Sequence, residues 1–200
     1  MAIKVANNQS LTAITALPAA ITGGAMTLLE TQTASDNATI SFTSNIDSTY
    51  KEYVFKFYDI HPETDDKAFT FQVDTGTNTS YNQTMTTSRF KAGHKEDDTY
   101  TTLGYSSGDD QAQGTAFQAL TQNIGNANDE SCAGELYLYD PSNSTFVKHF
   151  LARFQSTQHA EQCYDDFTAG YINTTTAITR VQFKFASGNS NGVIKLYGIS

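Results

Sequence analysis

GVIKLYGIS, residues 192–200, is the stretch that decides the fold. Read as a strand, it sets Val193, Lys195 and Tyr197 on one face and Ile194 and Leu196 on the other, with Ile199 back beside Tyr197. Both faces are partly apolar, which a solvent-facing edge does not require. The expectation is a strand inside a sandwich or at a subunit contact. The preceding SGNSN (Ser187 to Asn191) is rich in turn formers and leads straight into it.

The same period of two recurs toward the N-terminus. ITRVQFKF (Ile178 to Phe185) aligns Val181, Phe183 and Phe185. GELYLY (Gly134 to Tyr139) sets Leu136 and Leu138 against two tyrosines. AFTFQV (Ala68 to Val73) aligns Phe69, Phe71 and Val73, and YVFKFY (Tyr53 to Tyr58) sends Tyr53, Phe55 and Phe57 inward. ATISFT (Ala38 to Thr43) pairs Ile40 with Phe42, and Met26 to Glu30 reads as a short strand. Phe167 to Asn173 and, weakly, Thr99 to Tyr105 also read as strands. The dense run TFVKHFLARF (Thr145 to Phe154) is read as a strand from its Phe and Val content and flanking turns. SYNQTMTT (Ser80 to Thr87) is polar on both faces and reads as an edge strand or plain surface. Between Gly114 and Gly125, Phe117, Leu120 and Ile124 recur at spacings of three and four, so helix and strand stay open there.

Short strands separated by Asp, Gly, Asn and Ser clusters predict an all-β fold rather than alternating β and α elements. The predicted architecture is a two-sheet antiparallel sandwich, jelly-roll-like, over residues 25–200, preceded by an extended N-terminal arm over residues 1–24.

Composition narrows the function. Charged residues make up 16% of the chain and the net charge is −9, the opposite of the basic stripe a nucleic-acid partner wants. The two cysteines, Cys132 and Cys163, form no CxxC pair, so a thiolate zinc site is not expected; they read as unpaired thiols, with a single disulfide between them as the alternative. Residues 1–10 lack the apolar core of a signal peptide. Leu11 to Leu29 is uncharged, but four threonines, Pro18 and Gly23–Gly24 interrupt it, so an arm and a strand are expected there rather than a membrane helix. Six Asn-X-Ser/Thr sequons follow from an Asn- and Thr-rich surface.

No constellation carries chemistry by spacing. The acidic loop Asp59 to Asp66 clusters oxygens of the kind a hard cation binds, but lacks the EF-hand pattern and its central Gly, and reads as a solvated connection turned by Pro62. HKEDD (His94 to Asp98) reads as mixed-charge surface. Glu30, Glu52 and Glu135 sit in strands without a motif around them. The four histidines form no HxH or HExxH pair, and no GxSxG elbow or phosphate loop occurs. No catalytic residue, cofactor or metal is expected. Tyr137, Tyr139, Tyr171 and Tyr197 read as interface or core packing.

Four segments taken together, IKVANNQSLTAITALPAAITGGAMTLLETQTAS, IDSTYKEYVFKFYDIHPETDD, GELYLYDPSNSTFVKHF and SGNSNGVIKLYGIS, resemble a family of uncharacterised structural proteins of marine tailed bacteriophages, including those infecting cyanobacteria. YKEYVFKF and FASG…GVIKLYGI are the most specific pieces. The resemblance implies a non-enzymatic virion component made in the host cytoplasm, with no catalytic residue to carry over. Two forms follow: a surface-displayed head decoration protein or a tail or neck fibre component. Its expected partners are major capsid or tail and neck proteins and further copies of itself, with a trimer as the leading form. Leu11, Ile14, Leu17 and Ile21 of the arm are the expected anchors. The alternative is a receptor- or glycan-binding module at a fibre tip, with Asp65, His94 and Asp98 as its ligand rim and a host-surface glycan as its partner.

Overall fold

The computed structural model describes residues 25–200, and the expected anchors Leu11, Ile14, Leu17 and Ile21 lie outside them. Twelve strands occur among the described residues and no helix. They are β1 (Met26–Asn37), β2 (Ile40–Phe42), β3 (Glu52–Pro62), β4 (Lys67–Thr75), β5 (Met85–Lys95), β6 (Thr101–Tyr105), β7 (Gln118–Ile124), β8 (Cys132–Tyr139), β9 (Lys148–Gln158), β10 (Gln162–Ile172), β11 (Ile178–Phe185) and β12 (Ser190–Ile199). Every pairing is antiparallel.

The strands form the expected jelly-roll-like sandwich of two unequal sheets. The large sheet runs β1-β12-β3-β8-β9-β10-β5-β6. The small sheet runs β7-β4-β11-β2. A single bridge, Ile124 to Gln158, joins them at β7 and β9. The chain passes from one sheet to the other at most of its connections, so neighbours in sequence face each other across the core.

Alternation places the core where the pattern predicts. Tyr53, Phe55, Phe57, Leu136, Leu138, Ile194 and Leu196 of the large sheet meet Phe42, Phe69, Phe71, Val73, Val181, Phe183 and Phe185 of the small one, all buried. Phe183 is the hub. Its ring lies 5.2 Å from Phe55, 5.0 Å from Phe57, 6.0 Å from Phe69, 6.3 Å from Phe71 and 6.2 Å from Phe42. Such edge-to-face and stacked contacts add to the area each ring removes from water.

The final strand lies between β1 and β3, in the sheet interior. Its two apolar faces follow from this: Ile194 and Leu196 enter the core, while Val193, Lys195, Tyr197 and Ile199 lie half-buried on the other side. Gly192 sits at a register shift opposite Asp59, with φ of 123°. A Cβ there would stand 2.6 Å from the Asp59 carbonyl oxygen, so the bulge needs glycine.

Three local readings resolve. Gly114 to Gly125 contains a strand, not a helix. The β4–β7 pairing shifts register between Ala68 and Thr70, where Asn123 and Ala119 are their partners. The shift switches the inward residues, so Gln118, Leu120, Thr121 and Ile124 are all buried and the helical spacing is a bulge in disguise. Ser80 to Thr84 is not a strand, and Met85 opens β5. The strand read at Met26 to Glu30 continues to Asn37.

Candidate functional site

The register of the large sheet aligns its solvent-facing side chains into rows that cross the strands. One row reads Leu28, Tyr197, Val54, Tyr137, Leu151, Ala169, Ser88 from β1 to β5. The next reads Met26, Ile199, Glu52, Tyr139, His149, Tyr171, Thr86. A third reads Thr31, Lys195, Lys56, Glu135, Arg153, Phe167, Phe90, Tyr105 and reaches β6. Four tyrosines the sequence singles out, Tyr137, Tyr139, Tyr171 and Tyr197, therefore share this one face.

The face is unusually apolar for a surface. Met26, Leu28, Phe90, Leu103, Tyr105 and Leu151 are exposed on it, Leu151 by 50% and Phe90 by 46%. Val54, also pointing outward, is fully buried beneath its neighbours in the row. The Phe90 and Phe167 rings stack 4.7 Å apart and nearly parallel. Arg153 lies 4.7 Å over Phe167 and is held by two bonds to Asp165, at 3.0 and 2.7 Å. The small residues Ser88 and Ala169 leave a depression of about 320 Å³ among Phe90, Phe167, Tyr137, Tyr139 and Leu151. Burial, helped by a bond to Glu135, pushes the Tyr137 hydroxyl up to about 12. Contiguous exposed apolar surface of this kind marks an interaction site.

A buried polar cluster behind the face holds it in place. Arg89, inward on β5 and almost wholly buried, donates from Nη2 to Asp166 Oδ1 on β10 at 2.7 Å and from Nη1 to Asp109. Asp166 Oδ2 also accepts from the Gln122 backbone N–H of β7 at 3.1 Å. Thr87 donates to Gln118 Oε1 at 2.7 Å, and Lys91 to Gln122 Oε1 at 2.6 Å. These bonds fasten the β10-β5-β6 wing of the large sheet to β7, and Lys91 also lies 5.2 Å over the buried Tyr164 ring of β10.

The expected ligand rim lies elsewhere, at the end of the sandwich. His94 and Asp98 meet at 3.0 Å across the β5–β6 turn. Asp65 stands on the β3–β4 turn and has no hydrogen bond to either among the described residues. The two turns are linked through a third: His159 meets Asp66 at 2.9 Å, and the Glu96 N–H donates to the Glu161 carbonyl. The end is acidic, and Glu96 raises the Glu161 carboxyl above its ordinary range. No group of three or more His, Cys, Asp or Glu side chains placed to hold a metal occurs among the described residues. Cys132 is buried and Cys163 exposed, and both are free thiols.

Asp97 in this β5–β6 turn gives a pH signature. Bonds from Thr99 and then Lys95 lower its carboxyl from 3.8 to about 2. A depressed folded value means the turn gains stability above the unfolded value and loses it as pH falls through the folded one. A side-chain titration by NMR should place the Asp97 midpoint near pH 2; a midpoint at 3.8 or above would show that the turn bonds do not persist in solution.

Comparison with protein-family models and with curated proteins finds no match for the chain.

Proposed function

We propose that the protein is a non-enzymatic structural component of a bacteriophage particle, a head decoration protein or part of a tail or neck fibre. The outer face of the large sheet is the surface by which it packs against its neighbours. The observation that carries this reading is the face itself: Leu151, Phe90, Phe167, Tyr137 and Tyr139 grouped on the solvent side of the sandwich, backed by a buried polar cluster. A face buried in an assembly is enriched in aromatic residues and Arg, as this one is around Phe90, Phe167, Tyr137, Tyr139 and Arg153; the charged row Lys195, Lys56, Glu135 borders that apolar patch. The phage assignment is supported by the four segments that resemble the phage family.

The test is incorporation. Particles purified from infected cells should contain the protein by mass spectrometry. The double variant Phe90→Ser/Leu151→Ser should fold normally by circular dichroism yet fall at least about tenfold in particles, the loss expected from two central anchors. Absence of the wild-type protein from particles sinks the virion reading, and normal incorporation of the variant sinks the face. Copy number separates the two forms: a number near that of the capsomers supports decoration, and a handful of copies supports a fibre.

The depression between Phe90, Phe167 and Tyr139 favours one second reading, a receptor- or glycan-binding module. Aromatic rings beside Arg153 and Ser88 can stack on a sugar while polar groups orient it. That reading requires purified protein to bind host cells or a glycan array and to lose binding in Phe167→Ala.

A further inference from the structure

We propose that the free edge of β6 pairs with β6 of a second copy of this chain, joining two large sheets into one continuous sheet. The edge is defined by its hydrogen bonds. Lys95 N–H donates to the Tyr100 carbonyl and Ser106 N–H to the Arg89 carbonyl, both at 2.9 Å. By the antiparallel alternation, Thr102 and Gly104 then turn their backbone groups toward β5, and Thr101, Leu103 and Tyr105 turn theirs away from it. Those outward groups have no backbone partner among the described residues.

Sheet edges are usually blunted by charge, proline, bulges or shortness. The other edges of this molecule follow that rule. β1 carries Glu30 and Asp36 and two register shifts. β2 has three residues. β7 is bulged and bridged to β9. β6 has none of these devices: TTLGY contains no charge and no proline, pairs with β5 in unbroken register, and holds Leu103 at its centre, 79% exposed.

In a chain of net charge −9, this neutral strand is where two copies meet without like charges facing along it. It is also self-complementary. Two-fold pairing centred on Leu103 sets Leu103 against its own copy and Tyr105 against Thr101. About six backbone hydrogen bonds form by the antiparallel pattern. The same register brings the β5–β6 turn, with Asp97 and Asp98, toward Asp109 and Asp110 of the second copy. The pairing is therefore opposed at low salt and strengthened as salt screens the turns. It does not depend on the protein's place in any particle.

Sedimentation equilibrium of the full chain across concentration tests it. The wild type should pass from monomer to dimer, with the dimer favoured on going from about 0.1 M to about 1 M salt, where the screening length drops to about 3 Å. Leu103→Lys puts two charges opposite each other and should weaken dimerisation at least about tenfold. Thr101→Pro, which removes an outward-facing N–H of the same edge and no bond to β5, should act in the same direction if Leu103→Lys disturbs folding. Leu151→Lys, on the outer face, should leave the dimer intact. A wild type monomeric at all concentrations and both salts overturns the pairing. So does a dimer that survives both edge variants, one abolished by Leu151→Lys, or one lost on deleting residues 2–24.

Discussion

Replacing Arg89 by Met is expected to lower the folding free energy by about 3–5 kcal/mol, because removing one partner of a buried ion pair strands the other. Asp166 is the stranded group. Its carboxyl is already raised by burial, with Arg89 the largest influence holding it down. Without the guanidinium the folded value rises further. A raised folded value means that the folded state binds the proton more tightly than the unfolded one. The contribution is then fully present below the unfolded value and lost as pH rises through the folded one. The Arg89→Met penalty should therefore be smallest near pH 4 and grow toward neutrality. Urea unfolding at several pH values reads this directly. A loss below about 1 kcal/mol, the size of an ordinary surface ion pair, would show that the pair is not desolvated as described. The consequence reaches the surface, since Arg89 holds the wing that carries Phe90 and the β6 edge.

Phe183→Ala should cost a comparable amount, about 3–5 kcal/mol, through lost transfer energy and the cavity left behind. Phe183 touches rings of both sheets, so little can collapse into the space without moving the sandwich layers. Phe146→Ala, at a ring exposed to solvent, should stay within about 0.5 kcal/mol. Equal effects at the two sites would mean that the hub is not a hub. The two large variants are distinguishable by pH, since Phe183→Ala has no titrating group to expose.

The legible parts of the fold were those where one face of a strand meets the core and the other meets water. Tyr53, Phe55 and Phe57 announce themselves that way, as do Phe69, Phe71 and Val73. β5 defeats the rule because its inward positions carry Arg89 and Lys91 while Phe90 points out. Its hydrophobic pattern is inverted, and the partner that explains Arg89 lies 77 residues away. The dense run in β9 has a similar cause: Phe150 and Phe154 are core, and Leu151 belongs to the outer face. His94 and Asp98 share one turn, whereas the position of Asp65 relative to them is set by packing of distant turns. The outer face itself was invisible to periodicity. Each strand contributes only one to three residues, and the rows appear once strand order and register are known. The tyrosines, which repeat on the strands without filling the core, and the second apolar face of the final strand were the hints.

The position of β12 also dictates when the molecule can fold. Its partners β1 and β3 are synthesised early and remain apart until Ser190–Ile199 has been made and slots between them. Until then β3 has a bare side, and Ile194 and Leu196 are missing from the core. Until β12 is made, the chain therefore carries unpaired strand edges of the kind that aggregates or recruits chaperones. Pairings this distant in sequence also close slowly. The sandwich is thus sealed only when β12 enters between two strands made long before it.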